Sequence, residues 1–470
     1  MLFATSHPLL GTVTGRQNDG VAQFLGLKTR PISPTNGFDL ESSLIGKKLD
    51  VQYTPDPSDT DGLNLNISVP VVHAADTRDN LLPVLVFIHG GGFAIGSNWH
   101  PQYNQEASVR LSVRIGHPVA AVNLGYRIGV PGFLTSASMR KAGYPANRGL
   151  VDQKNGLRWI RKYISGFGGD PGAITVVGQS IGAASIMYHL QSEEALFNQC
   201  ILLGGTNAAI RPAPLKLAEI AYNDALEHFG LDELGEDQQL DALKNMSIEE
   251  LQSRSSPAIR AGAVIDGAVI PHAVTFDSLE TQSGSLFPGK RWCSRLFTLD
   301  SNCDSSIAAV LALFPKTKDV CTRFRNVIHT TLDGTDGSLS TELLAHYNIT
   351  ETTSDTDALS LILNFLNDIQ FHAPSLLVAS HWPCSTVGHF NEGNPWPGPF
   401  TGKTSHLLDV AYLWQNYNSH LSSQQRAVAE AFASDVIRFT AGVDDLPSWG
   451  SNQEAVAYRQ GDARMLVWLG

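Results

Sequence analysis

Residues 178–182 read Gly-Gln-Ser-Ile-Gly and set Ser180 between two glycines, the pattern of a nucleophile carried on a sharp turn from strand to helix. Flanking glycines let such a turn close without Cβ clashes and leave the serine Oγ clear of the sheet. The surroundings agree, because AITVVGQ (173–179) is a short β-branched strand signal and IGAASIMYHLQS (181–192) a helical stretch of small residues. No second G-x-S-x-G occurs in the chain. Upstream, His89-Gly-Gly-Gly-Phe93 follows the apolar run LPVLVFI. Three successive glycines bring backbone N–H groups close to a bound molecule, and such donors stabilise the oxyanion that acyl transfer builds. A phosphate loop is disfavoured, since neither G-K-[ST] nor G-x-G-x-x-G follows. The two motifs, in this order on separate strands, point to a serine that attacks a carbonyl.

Strands must hold these loops. LPVLVFIHG (82–90), HPVAAVNLGYR (117–127), AITVVGQ (173–179) and QCILLGG (199–205) are short apolar runs of the kind buried on both faces of a sheet. DQKNGLRWIRKYISGFG (152–168) has apolar residues at helical spacing and stops at glycines. Strands alternating with helices predict right-handed crossovers and a mostly parallel sheet. From about 206 to 380 the pattern is mainly helical, as in PLKLAEIAYNDALEHFG (214–230) and DALSLILNFLNDIQFHAPSLLVASHW (357–382). Strand signals return at STVGHFN (385–391) and ARMLVWLG (463–470). The expectation is one domain over 1–470, with a largely helical cap or insert at about 206–380 above the strands' carboxyl ends.

Composition narrows the partners. The chain has 470 residues, 43% hydrophobic and 17% charged, with a net charge of −12. Lys and Arg are scattered, which excludes a phosphate-backbone stripe and with it nucleic-acid binding. No run approaches the roughly 18–20 apolar residues of a membrane helix, so no integral membrane segment is expected. Five cysteines form an odd set without C-x-x-C, against a disulfide framework or zinc site. With Met1 as the start, MLFATSHPLLGTVTGRQ has no basic-then-apolar leader, and a cytoplasmic location is expected.

Longer stretches resemble the type-B carboxylesterase/lipase family, which includes cholinesterases and fungal lipases. DGLNLNISVP (61–70), NLGYRIGVPGFL (123–134), NRGLVDQKNGLRWI (147–160) and FGGDPGAITVVGQSIGAASIMYHL (167–190) are similar to its signature stretches in order, and SHLLDVAYLWQNYN (405–418) to the segment bearing its catalytic histidine. The similarity is dense over about 8–205 and 385–440 and thin between. It implies an α/β-hydrolase fold. It also implies that the N–H groups of Gly91, Gly92 and Ile181 are the oxyanion donors. Two departures stand out: Ile181 replaces the usual alanine, and Gly62 stands where the family has an early cysteine.

A serine hydroxyl needs a histidine to take its proton and an acid to orient that histidine. Of fifteen histidines, His406 lies on a polar loop late in the chain, in the family-like segment, where the order serine, acid, histidine puts the base. His389 is the rival, inside a predicted strand. The family uses a glutamate after a strand and a turn; RLFTLDSNCDSSIAAV (295–310) resembles that stretch, and Asp304 matches the glutamate. Asp300 is the competing acid, or a support for the loop. Asp409 reads as a local cap, Tyr126–Arg127 as part of a structural ion pair, and Trp396 as a pocket wall or loop packing. Gln179 stands where cholinesterases carry glutamate, which removes a charge that would favour cationic substrates.

The expected function is hydrolysis of a small-molecule carboxylic ester through Ser180, His406 and Asp304 and an acyl-enzyme, with no metal or cofactor implied and the oligomeric state open. Acyl transfer (transesterification) or non-hydrolytic cyclisation in a biosynthetic pathway is the alternative on the same fold. A non-catalytic binding protein is the third reading.

Overall fold

The computed structural model describes residues 1–28, 37–51, 63–74, 80–247, 250–251, 254, 259–281, 286–313, 317–333, 338–450 and 452–468. Gly62, the position of the family's early cysteine, lies outside them. Fourteen strands are described: β1 Leu2–His7, β2 Gly11–Asn18, β3 Val21–Lys28, β4 Asn64–Pro70, β5 Leu82–Ile88, β6 Ala120–Leu124, β7 Gly169–Gln179, β8 Gln199–Leu203, β9 Ala213–Pro214, β10 Val264–Ile265, β11 Arg295–Ser301, β12 Cys384–Phe390, β13 Glu454–Tyr458 and β14 Met465–Trp468. Twelve make one sheet in the order β1-β2-β3-β4-β6-β5-β7-β8-β11-β12-β13-β14, and β9 pairs with β10 alone. From β6 to β13 all neighbours are parallel. The ends are antiparallel.

The parallel strands are buried on both faces because every second residue feeds a different core. Val84, Val86 and Ile88 of β5 join Ile160, Ile174 and Met187 on one face. Leu85 and Phe87 join Val177, Phe297, Trp414 and Phe432 on the other. Each of these fully buried large side chains stabilises the fold by about 2 kcal/mol. Helices Arg148–Tyr163 and Ile181–His189 supply the first face, and Leu408–Leu413 and Ser423–Thr440 the second. Ser422 starts the last with a capping box, its Oγ accepting from Gln425 N–H at 3.3 Å.

Among the described residues, β11 divides the 206–380 region into two helical parts with separate apolar centres. Leu215–Phe229 packs through Tyr222, Leu226 and Phe229 against Val130 and Leu134. Val320–Leu332, Leu339–His346 and Asp355–Asn367 gather around Ile328, Leu344 and Ile362. The helical pattern over 357–382 is realised as Asp355–Asn367, a π-helical turn at Asp368–His372 and Ala373–Ser380. Pro374 supplies the reason for the turn: it has no N–H to donate and its ring crowds the carbonyl of Gln370, so the helix widens there. No described helix is long and apolar enough to cross a membrane.

Candidate active site

Ser180 terminates β7 and opens helix Ile181–His189 with φ 57° and ψ −124°, a strained conformation for a residue with a Cβ. The turn is fixed by Ser180 N–H donating to Leu203 O at 2.8 Å and by Ala184 N–H donating to Ser180 O at 3.1 Å. The motif glycines have a steric cause. A Cβ on Gly178 would sit 2.4 Å from the Gly182 backbone, and one on Gly182 would sit 2.2 Å from Ile88 O. Strand, nucleophile and helix can therefore pack only with hydrogen at both places.

The glycine loop follows β5 at the neighbouring position in the sheet. Gly91 has φ 98°, and a Cβ there would lie 2.2 Å from Ile95 O. Its carbonyl accepts from both Ala94 and Ile95 N–H at 3.0 Å, which curls the loop so that the Gly91 and Gly92 amides are left free of backbone acceptors among the described residues. Ile181 begins a helix, so its N–H is one of the donors a helix start leaves unpaired. His89 braces the loop from behind: Nδ1 donates to Gly90 O at 2.9 Å, and its ring stacks on Tyr126 at 4.5 Å. Tyr126 OH donates to His89 O at 2.9 Å. Burial holds the His89 imidazole down at about 4, so it serves as a neutral wedge. The neighbouring ion pair expected from sequence is present, with Arg127 Nε and Nη2 donating to Asp152 at 2.6 and 2.7 Å.

The late loops bring the histidine and the acid together. His406 Nδ1 lies 2.7 Å from Asp304 Oδ1, and both side chains are buried. Ser301 N–H donates to Asp304 Oδ2 at 2.7 Å, and His406 N–H donates to Ser306 Oγ at 2.8 Å. An isolated parallel bridge between Cys303 and Ser405 joins the two loops, and Thr404 N–H donates to Asn302 Oδ1 at 3.1 Å. This direct pairing of the loops accounts for an aspartate reaching where the family uses a longer arm. Burial pushes the Asp304 carboxyl up, against the hydrogen bond from His406.

Asp300 serves elsewhere. It pairs in register with His389 across β11 and β12, accepts from His389 Nδ1, and accepts from His372 Nδ1 at 2.6 Å. Burial alone would raise its carboxyl, but the two histidines outweigh it and hold it at about 2. The Asp300–His372 hydrogen bond in turn raises the His372 imidazole, against partial burial. Asp300 and His389, the alternatives for acid and base, are thus partners of each other beneath the acid loop. With His372 they form the described group whose ligand atoms, within 4.8 Å of one another, could take a divalent ion, although both Nδ1 atoms are already committed to the carboxylate.

Ser180, Gly91, Gly92, Ile181 and His406 line one cavity of about 950 Å³, to which Phe371 and Gln370 of the π turn also contribute. Phe371 packs on His406 with ring centroids 5.7 Å apart. Trp396 does not reach the cavity and packs on Tyr417. Two contacts escape a sequence reading. Gln179 Nε2 lies 3.1 Å from His406 Nε2, while its Oε1 is buried without a partner. Since Nδ1–H is given to Asp304, Nε2 carries the lone pair and the Gln179 amide donates to it. Among the described residues no hydrogen bond joins the Ser180 hydroxyl to His406. The second contact is Asp409, three residues after His406. Its Oδ1 accepts from Val410 N–H at 2.8 Å, as a local cap would, but Oδ2 is buried and unpaired. Burial and then the charge of Asp304 raise its carboxyl to about 7.

A mostly parallel sheet with a serine on the strand–helix turn after β7, and acid and histidine on the loops after β11 and β12, defines an α/β-hydrolase. The solved structures agree on that fold: a thermophilic PNB esterase superposes with a TM-score of 0.76 at 21% identity, over 99% of this chain and 97% of that one. A carboxylesterase of Geobacillus stearothermophilus gives 0.75 at 21% identity, over the same shares. The chain belongs to the carboxylesterase family, whose model matches residues 35–441. It is 35% identical over 206 residues to the para-nitrobenzyl esterase of Bacillus subtilis (strain 168), covering 43% of this chain and 38% of that protein. It is 28% identical over 320 residues to Lipase 2 of Geotrichum candidum, 57% of this chain and 54% of the lipase. An inactive carboxylesterase-like protein of Byssochlamys spectabilis is 31% identical over 221 residues, 43% of this chain and 37% of its own. The chain thus matches from about a third to about half of the length of these relatives.

Proposed function

We propose that the protein hydrolyses carboxylic esters through an acyl-enzyme on Ser180. Ser180 Oγ attacks the ester carbonyl carbon and its proton passes to His406 Nε2. Asp304 holds the Nδ1–H tautomer and stabilises the imidazolium. The carbonyl oxygen, now negative, is met by the N–H groups of Gly91, Gly92 and Ile181, each such donor being worth about 3 kcal/mol in the transition state. The alcohol leaves with the proton from Nε2, and water then repeats the sequence to free the acid. For the first step the Gln179 amide must give up Nε2 to the serine hydroxyl; apo hydrogen bonds of this kind often form only with substrate bound.

The observation that carries this reading is the buried Asp304–His406 pair at 2.7 Å opening onto the cavity that also holds Ser180 and the glycine loop. The esterase and lipase relatives support hydrolysis over acyl transfer. The test is release of p-nitrophenol from p-nitrophenyl butyrate, with fluorophosphonate labelling. Wild type should turn over and label at Ser180, and Ser180→Ala should lose both while melting normally. Undiminished turnover in Ser180→Ala would remove the mechanism, and an unlabelled, inactive wild type would favour a binding protein.

A further inference from the structure

The cavity lining is apolar apart from a few polar groups, and its charges are unevenly matched. Glu41 accepts at Oε2 from His100 Nδ1 at 2.7 Å and Gln102 Nε2 at 2.6 Å, while its buried Oε1 has no partner among the described residues. Arg127 is neutralised by Asp152 at 2.6 Å. Arg211 and Arg260 also line the cavity, and neither has a carboxylate partner among the described residues. Arg211 donates Nε to Ala208 O at 3.1 Å, which leaves the outer face of its guanidinium free. In a chain of net charge −12, two unneutralised cations at one cavity run against the average field.

Their placement is built rather than incidental. β9 and β10 run parallel with Ala213 opposite Val264, and Ala213 N–H donates to Ala263 O at 2.8 Å. Arg211 and Arg260 lie just before the two paired segments, and each is preceded by an isoleucine, Ile210 or Ile259, that lines the same cavity. The pair is anchored from beneath by the buried Asn147, which donates to Val264 O at 2.8 Å and accepts from Val264 N–H at 2.9 Å. Asp266, the nearest acid in sequence, is consumed by Asn147 and by the N–H groups of Ala268, Val269 and Ile270. Two Ile-Arg steps therefore present an apolar wall that ends in guanidinium.

We propose that the preferred substrate is an amphipathic ester whose acyl or alcohol part ends in an anionic group, bound by Arg211 and Arg260 while the apolar part fills the cavity. The inference rests on the esterase reading above and extends it to substrate class. Both guanidiniums are solvent-exposed, so the attraction is moderate and weakens with salt.

Two matched pairs of esters test it: the p-nitrophenyl esters of octanoic acid and of suberic acid, and the butyrate esters of octanol and of ω-hydroxyoctanoic acid. The ratio of kcat/KM, carboxylate ester over neutral ester, should be about ten for at least one pair, carried mainly by KM and shrinking at high ionic strength. In the Arg211→Gln/Arg260→Gln double variant that ratio should fall close to one, with Arg211→Lys/Arg260→Lys retaining part of it; melting temperature checks the fold. A ratio of one or less for both pairs in wild type, or an undiminished ratio in the Gln variant, overturns the proposal. If the neutral esters are hydrolysed and Ser180 is labelled, that failure leaves the esterase reading standing. If no ester is turned over and Ser180 takes no label, the esterase reading fails and this proposal with it.

Discussion

Gln179 and His406 are 227 residues apart, yet their 3.1 Å contact sets the resting state of the proposed base. A neutral amide donates to Nε2 and adds no charge beside the imidazole. In Gln179→Glu a carboxylate would take its place and favour the imidazolium, so a higher pH is needed to free the base. The acid limb of the kcat/KM profile should move up by about one unit. Activity near pH 6 should drop while the plateau above pH 8 changes less; an unmoved limb would show that the amide does not govern His406. At this scale the sequence was informative where chemistry is local. Gly178 is required by the Gly182 backbone four residues on, and a pattern can show it, whereas Gly182 is required by Ile88 O on the neighbouring strand. The choice between Asp304 and Asp300 was not local, because they stand four residues apart at the end of the same strand, Asp300 within β11 and Asp304 just after it. It is made by the register of β11 on β12, which gives Asp300 to His389, and by the Cys303–Ser405 bridge, which gives Asp304 to His406.

At the level of elements, the acid loop stands on the Asp300 cluster, which ties the end of β11 to β12 and to the π turn that carries Phe371. Asp300 is held at about 2 in the fold, below an unfolded aspartate near 3.8. A depressed carboxyl contributes stability that is present above the unfolded value and lost as pH falls through the folded one. Wild type should therefore exceed Asp300→Asn in urea midpoint at pH 7, with the lead narrowing as pH falls from about 4 toward 2. The ionisation contributes on the order of 2 kcal/mol. A lead that stays constant over that window would mean the cluster works by packing alone. The π turn itself was hidden, because an unbroken apolar period over 357–382 outweighs one proline in a pattern reading, whereas Pro374 decides the backbone. β5, β7 and β8 were legible as continuous apolar runs, while β1 and β2, with half-exposed alternation and many polar residues, were not.

Across the whole molecule, two effects act in the same direction as pH rises from the isoelectric region near 5.6 to 7. The chain's net charge approaches −12, and self-repulsion of the surface acids grows. Asp409, raised to about 7 in the fold from an ordinary 3.8, keeps a proton that the unfolded chain releases. For a raised carboxyl the folded state binds more protons than the unfolded one, so stability is fullest below about 4 and is lost as pH climbs to 7. Salt separates the two, since it screens exposed charge and barely reaches a carboxyl buried beside Asp304 and His406. At high ionic strength the fall in melting temperature between pH 5 and 7 that survives in wild type should be smaller in Asp409→Asn, which carries no proton to lose. An equal fall in both proteins would place the effect outside Asp409. The same buried position explains why a cap reading of Asp409 from sequence captured only part of it. Its bond to Val410 is local, but its proton is retained because the whole sheet, through the loops after β11 and β12, brings Asp304 and His406 against it.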